Sequence, residues 1–565
     1  MSSKDAVEFC AAGQAMDMQS DFADVLAASG GGRQHPQNFS RDLLRTARRE
    51  LGVNFSCYCP NVILRDPVRA TVEKPVATLL PYEVAHLLWE YNRDRFYSLI
   101  GKHKLESYWR RTIDRNEIWF QQHPMRQAIL DAEDRTMYFP IHLFGDDGTL
   151  RKSRAFQTVT WFSALPTTLT ALHCRIPCYL VPNHLIVRHV TEARLQKVIA
   201  WSLGVWLTGR FPRCDDVGTQ WPPATVRAKL ASEDTLIAGG HIAVFAGAVC
   251  DHLWMQQHFR YAKVSSPNSS CHVCSAQDAP GPLNYLRFTE CPLRSHGEYM
   301  RSQAAADSPL SSIPGFHISM TRAEPMHAGP LGAMADAVGS STIELCDSAS
   351  WGFEGLTPWK FRMDAQLSAA HMEFCHWAKT NSQEHTVKKF TSAGFSMQTL
   401  GGSWPFYNGK AHNCLAICRW LACKCREGMS FSEYAHLRAQ VMWAWAQIFE
   451  IMTTSVDPDW LNTEELARLD AASNLMLHGM KVLGRKNAEV SRPRWKCRPK
   501  LHSMWHVNQT AQAGHRNPRA YWSFKDEEAM GKLGQIAANV HAQTVPARSL
   551  EHWCMQFFNA MSPWI

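Results

Sequence analysis

Carboxylates that follow apolar runs are the residues of this sequence best placed to do chemistry. The run FPIHLFG leads into Asp146 and Asp147, AVFAGAVC leads into Asp251, and a late helical segment opens with Glu527 and Glu528. A strand end holds a carboxylate rigidly. Three such acids converging from distant parts of the chain could bind two divalent cations, naturally Mg²⁺, for in-line phosphoryl transfer. For each acid alone, a turn or a helix N-terminus is the simpler explanation.

The motif CHVC places Cys271 and Cys274 at the spacing of one half of a tetrahedral zinc site. It lies in a polar loop, 264–299, that has too few apolar residues for a core of its own. We therefore predict that zinc orders this loop. Two buried thiols without a metal are the alternative.

Two histidines, His502 and His506, are four residues apart and share one face if their segment is helical. This spacing could hold a metal. The glutamate of HExxH is missing, so a metalloprotease is not indicated. We favour a packed or phosphate-facing pair.

A basic stretch, 485–500, precedes these histidines and contains Trp495. Its cations could follow a DNA backbone, where each contact adds affinity without sequence choice. A solvated linker is the alternative. The residues that we predict to contact DNA are Arg492, Arg494, Lys496 and Arg498.

The elements that must position these residues follow from hydrophobic periodicity. Strand-like and helical runs alternate around the first acids, which predicts a mixed α/β core, and helical periodicity dominates from about 343 onwards. The predicted organisation is a poorly ordered N-terminal tail (1–55), a helical N-terminal region (56–135), the first part of the α/β core with its CxxC loop (136–342), a helical insertion (343–490), and a basic segment with C-terminal helices that carry the last acid (491–565).

Composition indicates a globular intracellular protein. The chain has 565 residues, 45% of them apolar, and a net charge of +8 that permits an anionic partner. Its start shows no secretory signal, so the 18 cysteines are expected to be reduced thiols. The longest apolar stretch, 236–250, is too short and too rich in glycine for a transmembrane helix, so we expect no membrane association.

The order of the motifs resembles that of DDE-type transposases with a ribonuclease-H-like core, especially Plavaka/KDZ-like elements and related transposon-derived proteins of dinoflagellates. The resemblance implies a ribonuclease-H-like mixed sheet with a large helical insertion and a helical N-terminal region. The segments that carry it are FPIHLFGDDGT, AGAVCDHLWMQQHFRY leading into CHVC, RAEPMHAGPLG, RPKLHSMWH and FKDEEAMGKL.

Carried over by segment, the resemblance implies that Asp146, Asp251 and Glu527 are the catalytic acids, with Asp147 and Glu528 as alternatives. They would act with Mg²⁺ or Mn²⁺ on DNA phosphodiesters, in DNA strand cleavage and transfer. A nuclear location follows from that substrate, and a homo-oligomer is compatible with it.

The resemblance also bears on zinc, because many such enzymes pair CxxC with a later [C/D]xxH. The matching stretch here is EPMH, so His327 would complete a site with Cys271 and Cys274, although Glu324 replaces the usual Asp or Cys. Cys291 and His296 are competing ligands.

Two further function classes stay open at this point. One is a transposon-derived DNA-binding protein that has lost catalysis, which the Glu324 departure favours. The other is a structural or interaction protein whose helical block is an assembly surface.

Overall fold

The structure, a computed structural model, describes residues 56–151, 154–261, 269–397, 403–541 and 544–561. The predicted N-terminal tail, 1–55, lies outside the described residues, as does the start of the predicted zinc loop, 264–268. The described part of the chain is mixed α/β, with many helices and a small mixed sheet. Among its helices, none combines the length and the apolar character needed to cross a membrane.

A four-stranded mixed sheet carries the first acids. The chain first forms a hairpin of β1 and β2, and then the sheet strands in the order β5-β4-β3-β6. Strand β3 pairs antiparallel with β4 and parallel with β6, and β4 pairs antiparallel with β5. The strands are β1 (Asn61–Asp66), β2 (Ala70–Pro75), β3 (Tyr138–Arg151), β4 (Arg154–Ser163), β5 (Ile176–Pro182) and β6 (Ile242–Ala248).

Helices make up most of the remaining regular structure. The long ones follow apolar residues at helical spacing, and the longest opens with a capping box between Asn462 and Glu465. In chain order, the described α-helices are α1 (Pro81–Tyr91), α2 (Arg93–Ile100), α3 (Lys102–Asp114), α4 (Ile118–Gln121), α5 (Arg126–Asp131), α6 (Ala171–Cys174), α7 (Thr191–Thr208), α8 (Val226–Ser232), α9 (His252–His258), α10 (His296–Met300), α11 (Gln303–Ala306), α12 (Pro325–Ala328), α13 (Met334–Asp347), α14 (Trp359–Thr380), α15 (Ala411–Glu427), α16 (Glu433–Thr454), α17 (Thr463–Glu489), α18 (Pro499–Gly514), α19 (Phe524–Ala538) and α20 (Val545–Ala560).

The chain divides into two compact units, each made of separate stretches of sequence. The first unit contains the residues up to Cys250, Met300–Met320 and Lys525–Ile565, and it holds the mixed sheet. The second unit contains Asp251–Tyr299 and Thr321–Phe524. The predicted helical insertion, 343–490, lies wholly within this second unit.

The second unit is built around a large apolar core. Helices α13 to α18 supply most of it, with fully buried tryptophans such as Trp420 and Trp445 at its centre. A separate small cluster contains Cys271, Cys274 and Cys291. The CxxC segment therefore has little apolar packing of its own.

Two local predictions need correction. The region 56–135, predicted to be helical, begins with the β1–β2 hairpin, where exposed and buried residues alternate along β1. The strand predicted to end at Asp146 and Asp147 continues to Arg151, because β4 pairs with it from Ile141 to Arg151. The two acids thus lie inside β3 rather than at its end.

Candidate functional site

The first acids lie on opposite faces of one strand. Asp146 faces Thr158 of β4 across the ladder, and Asp147 faces Gln157. Successive side chains of a strand point to opposite sides, so the two carboxylates cannot serve one site equally. Asp147 is exposed and accepts a hydrogen bond of 2.9 Å from Asn183.

The last acid reaches the same part of the first unit from a distant segment. One carboxylate oxygen of Glu527, at the start of α19, lies within 4.8 Å of one carboxylate oxygen of Asp146. Both side chains are half-buried. Glu528, the alternative, is exposed and forms an ion pair with Lys532 one turn along the helix.

A buried ion pair fixes the start of α19. Asp526 accepts two hydrogen bonds from the Arg175 guanidinium, at 2.6 and 3.2 Å, and its side chain is fully buried. Arg175 also lies over the ring of Phe162 on β4. Because Asp526 precedes Glu527 directly, this bidentate contact sets where the Glu527 carboxylate lies. The sequence predicts Glu527 as a catalytic acid, with the helix dipole as the simpler alternative, but it gives no sign of Arg175, because nothing local links residues so far apart in the chain.

Two glycines bring α19 close to β3. A Cβ on Gly534 would lie 2.4 Å from the Thr149 carbonyl oxygen, so glycine at this position lets the helix backbone approach β3. A Cβ on Gly148 would lie 2.4 Å from the Phe156 ring of β4 and 2.9 Å from the Met530 side chain of α19. In the G-D-D-G motif, Gly148 is therefore needed for packing, in addition to any role of the two acids.

Asp251 follows the strand that pairs in parallel with β3. The last residue of the first unit, Cys250, has its Sγ atom 3.2 Å from the backbone amide of Gly145, next to Asp146. Asp251 opens the second unit, where its carboxylate caps α9 by accepting a hydrogen bond from the Trp254 amide. In the same unit, burial lowers the pKa of Lys500, and the negative charge of Asp251 opposes that shift.

No family model matches this sequence, and no curated protein does.

A second group of ligand-type side chains lies within the second unit. Cys271 and Cys274 are brought together with His502 and His506 of α18, and the four ligand atoms all lie within 4.8 Å of one another. All four residues are buried, and the Cys274 Sγ is 3.1 Å from the His502 Nε2. The histidine pair that sequence reasoning favoured as packed or phosphate-facing thus lies beside the CxxC motif.

The chemistry of the Cys271 thiol agrees with a ligand role. Burial raises its pKa, but hydrogen bonds from Cys274 and from the amides of Val273 and Cys274 outweigh burial. The pKa of Cys271 is therefore held below its usual value.

The structure gives His327 other partners. Its Nδ1 atom lies 2.7 Å from Glu324, a buried carboxylate that also accepts hydrogen bonds from the amides of Met326 and Ser523. The pKa of Glu324 is lowered because these hydrogen bonds and the nearby imidazole outweigh burial. Glu324, which departs from the family pattern, is thus the N-cap of α12 and orients His327.

The predicted DNA-binding residues have unequal surroundings. Arg494 is buried against Asp347 at 2.8 Å, and Arg498 pairs with the buried Asp336 at 2.9 Å. Lys496 lies over the Trp404 ring. Arg492 is exposed. Two of the four predicted contacts therefore have carboxylate partners within their own unit.

Proposed function

We propose that this protein is a transposase-like enzyme that cleaves and transfers DNA strands by divalent-metal-dependent phosphodiester chemistry. The observation that carries the proposal is the pair of carboxylates formed by Asp146 and Glu527 in the first unit. The two acids are 527 − 146 = 381 residues apart in the sequence, and each lies on a rigid element, Glu527 on the anchored helix α19 and Asp146 on the paired strand β3. An acid that is only solvated requires no rigid element to hold it.

The sheet topology supports a ribonuclease-H-like core. Three antiparallel strands, β3 to β5, are followed by helix α7 and by β6, which pairs in parallel with β3. This arrangement puts the carboxyl end of β6 beside the middle of β3, where Asp146 lies. The proposed fold accounts for why acids distant in sequence share one neighbourhood.

The donor set suits Mg²⁺ or Mn²⁺. Both are hard cations that prefer carboxylate oxygens, and Asp146 and Glu527 supply these. Asp146 and Glu527, with Asp251, would hold two such ions, which would supply activation of the attacking oxygen and stabilisation of the leaving oxygen. The chain's own part is to hold the two acids in place, through Asp526 and Arg175 for Glu527 and through the β3–β4 ladder for Asp146.

Asp251 enters the proposal as the third acid through the resemblance, as the acid that precedes the CHVC motif in the chain. Within the second unit, the negative charge of Asp251 acts on Lys500 and opposes the lowering of the Lys500 pKa by burial.

One observation favours the runner-up, a DNA-binding protein without catalysis. The Asp251 carboxylate already caps α9, and an Asp at a helix N-cap needs no metal to explain it. Both alternatives keep DNA as the partner and a nuclear location, so cleavage is what distinguishes them.

Cleavage of supercoiled and of labelled linear DNA, with and without Mg²⁺ or Mn²⁺, tests the proposal. We expect Asp146→Asn and Glu527→Gln each to lower the divalent-dependent rate by at least ~10²-fold, because each removes a ligand. The neighbouring variants Asp147→Asn and Glu528→Gln are matched controls, since these acids have other partners. They should keep the rate within a few-fold of the parent.

Two results would contradict the enzyme assignment. One is a parent protein that binds DNA but shows no divalent-dependent cleavage, which supports the binding alternative. The other is an equal loss of cleavage rate in all four variants, which would show that the rate does not depend specifically on Asp146 and Glu527.

A further inference from the structure

We infer that Cys271, Cys274, His502 and His506 form a structural zinc site that fastens the segment 269–299 to helix α18. The four ligand atoms lie within 4.8 Å of one another, and all four residues are buried. In a tetrahedral zinc site with Zn–S near 2.3 Å and Zn–N near 2.0 Å, ligand atoms are spaced about 3.3–3.8 Å apart. The group thus needs only a small contraction to close on an ion.

The CxxC turn is shaped to present two sulfur atoms. Backbone amides point at them, from Val273 to the Cys271 Sγ at 3.3 Å and from Ala276 to the Cys274 Sγ at 3.4 Å. Such contacts orient the two sulfur atoms toward a common point, as outer hydrogen bonds do for metal ligands. Arg294 holds the turn from outside by donating to the Cys271 carbonyl oxygen at 3.0 Å.

The two histidines come from successive turns of α18. The Nδ1 atom of His502 lies 2.7 Å from the Tyr285 carbonyl oxygen, which can only accept a hydrogen bond. The proton of His502 is therefore on Nδ1, and the lone pair of Nε2 points at Cys274. His506 approaches the same sulfur atom from the next turn of α18, and one of its ring nitrogens lies within 4.8 Å of the other three ligand atoms.

The donor set selects zinc. Two sulfur and two nitrogen atoms in a closed, buried arrangement match the ligands of structural Zn²⁺ and are unsuited to Mg²⁺ or Ca²⁺. All four positions are taken by protein atoms, so the site has a structural and not a catalytic character.

Two other cysteine and histidine residues compete less well. Cys291 lies close to Cys274, but its Sγ contacts the carbonyl oxygens of Leu283 at 3.5 Å and of Arg287 at 3.6 Å. His327 is held by Glu324 and Ser523. The sequence predicts both residues as candidate zinc ligands, so their variants are suitable controls for the experiment.

A zinc ion here would stabilise a segment that has little else to hold it. The local apolar cluster contains few residues, and the cysteines and histidines are separated by more than 220 residues of chain. Because an ion binds all four ligands only when these distant residues are brought together, its binding free energy would stabilise the folded state. This inference does not depend on the phosphodiester chemistry, because the two sets of residues are different.

Metal analysis of the purified full-length chain tests the site. We expect one equivalent of zinc, retained through dialysis, in the parent and in the controls Cys291→Ser and His327→Asn. The variants Cys271→Ser, Cys274→Ser, His502→Asn and His506→Asn should each lose most of it. DNA-cleavage activity is not the readout, so failure here and failure of the proposed function are distinguishable.

A second measurement covers variants that do not fold. The parent is stripped with a chelator and titrated with Co²⁺, whose visible spectrum reports tetrahedral coordination and the number of thiolates. Two thiolates, together with restored resistance of 269–299 to limited proteolysis, support the inference. Three results would overturn the inference. The parent could contain no zinc and give no tetrahedral Co²⁺ spectrum, or it could contain iron in place of zinc. The third is a loss of zinc in Cys291→Ser together with its retention in His506→Asn.

Discussion

Asp146 and Asp147 show how much one residue step changes on a strand. Asp146 lies beside Glu527, whereas Asp147 is exposed and held by Asn183. The same contrast separates Glu527 from Glu528 on a helix, where neighbours are about 100° apart. Two adjacent acids therefore have different surroundings, because their side chains lie on different faces of the strand or helix. A variant of one acid is the control for a variant of its neighbour.

Asp336 shows a different effect of burial on a carboxylate. It lies at the start of α13, is fully buried, and pairs with Arg498. Burial raises its pKa from 3.8 to about 7, although Arg498 and the nearby lysines oppose the shift. Its charge is therefore costly in the folded protein at neutral pH.

This shift predicts how the thermal stability depends on pH. Between pH 4 and 7 the folded state holds a proton on Asp336 that the unfolded state has lost, so stability from this group falls as the pH rises. Asp336→Asn removes that fall. The melting temperature of the variant, relative to the parent, should therefore rise from pH 5 to pH 8.

The matched control is Asp364→Asn on α14, an exposed acid. Its melting temperature should follow the parent at every pH. A constant difference between Asp336→Asn and the parent across this range would contradict a raised pKa of Asp336.

At the scale of elements, the contact of α19 with β3 decides where the last acid lies. Gly534 allows the helix backbone to approach the Thr149 carbonyl oxygen, and Gly531, one turn earlier, has open space around it. A side chain at position 534 would collide with β3, whereas a side chain at position 531 would meet no other atoms.

Alanine substitution at each glycine distinguishes the effect of helix propensity from the effect of packing against β3. Gly531→Ala should raise the melting temperature, because alanine favours a helix over glycine by up to ~1 kcal/mol. Gly534→Ala gains the same propensity but places a Cβ 2.4 Å from a backbone oxygen, so α19 must move. We expect a lower melting temperature and weaker divalent-dependent cleavage, measured by thermal unfolding and the DNA assay.

An outcome in which both alanine variants are equally stabilised would show that the helix does not need this approach to β3. If Gly534→Ala lost stability but kept full cleavage, the position of Glu527 would be independent of the packing at Gly534.

These contacts explain which parts of the structure were predictable. Periodicity located β3, β6 and the long helices, since each depends on residues close in sequence. It could not locate the Arg175–Asp526 pair or the meeting of Cys274 with His502, because these join residues hundreds of positions apart. The resemblance predicts His327 of EPMH as a zinc ligand. In the structure, the Nδ1 atom of His327 lies within hydrogen-bond distance of the Glu324 carboxylate.

At the scale of the whole molecule, the division into units explains the spread of the motifs. The chain leaves the sheet unit after Cys250, returns for Met300–Met320, and returns again at Lys525. The acids Asp146 and Glu527 belong to the first unit and the proposed zinc ligands to the second. Asp251, the proposed third acid, belongs to the second unit, but it is not one of the four proposed zinc ligands.

The net charge of +8 is another property of the whole chain, and its effect on DNA binding depends on which cations face solvent. Arg494 and Arg498 are balanced by Asp347 and Asp336, whereas Arg492 is exposed. We therefore expect Arg492, and not Arg494, to contribute to binding of a phosphate backbone.

The salt dependence of DNA affinity measures this difference. Each phosphate contact adds about 0.9 to the slope of log affinity against log salt concentration, so Arg492→Ala should lower the slope by about 1. Arg494→Ala removes a buried guanidinium that pairs with the exposed Asp347, so it should lower the melting temperature and leave the slope unchanged. Fluorescence anisotropy of a labelled duplex at several salt concentrations gives the slopes. An unchanged slope in Arg492→Ala would mean that 485–500 is a solvated segment and that any DNA contact of this protein lies on other residues.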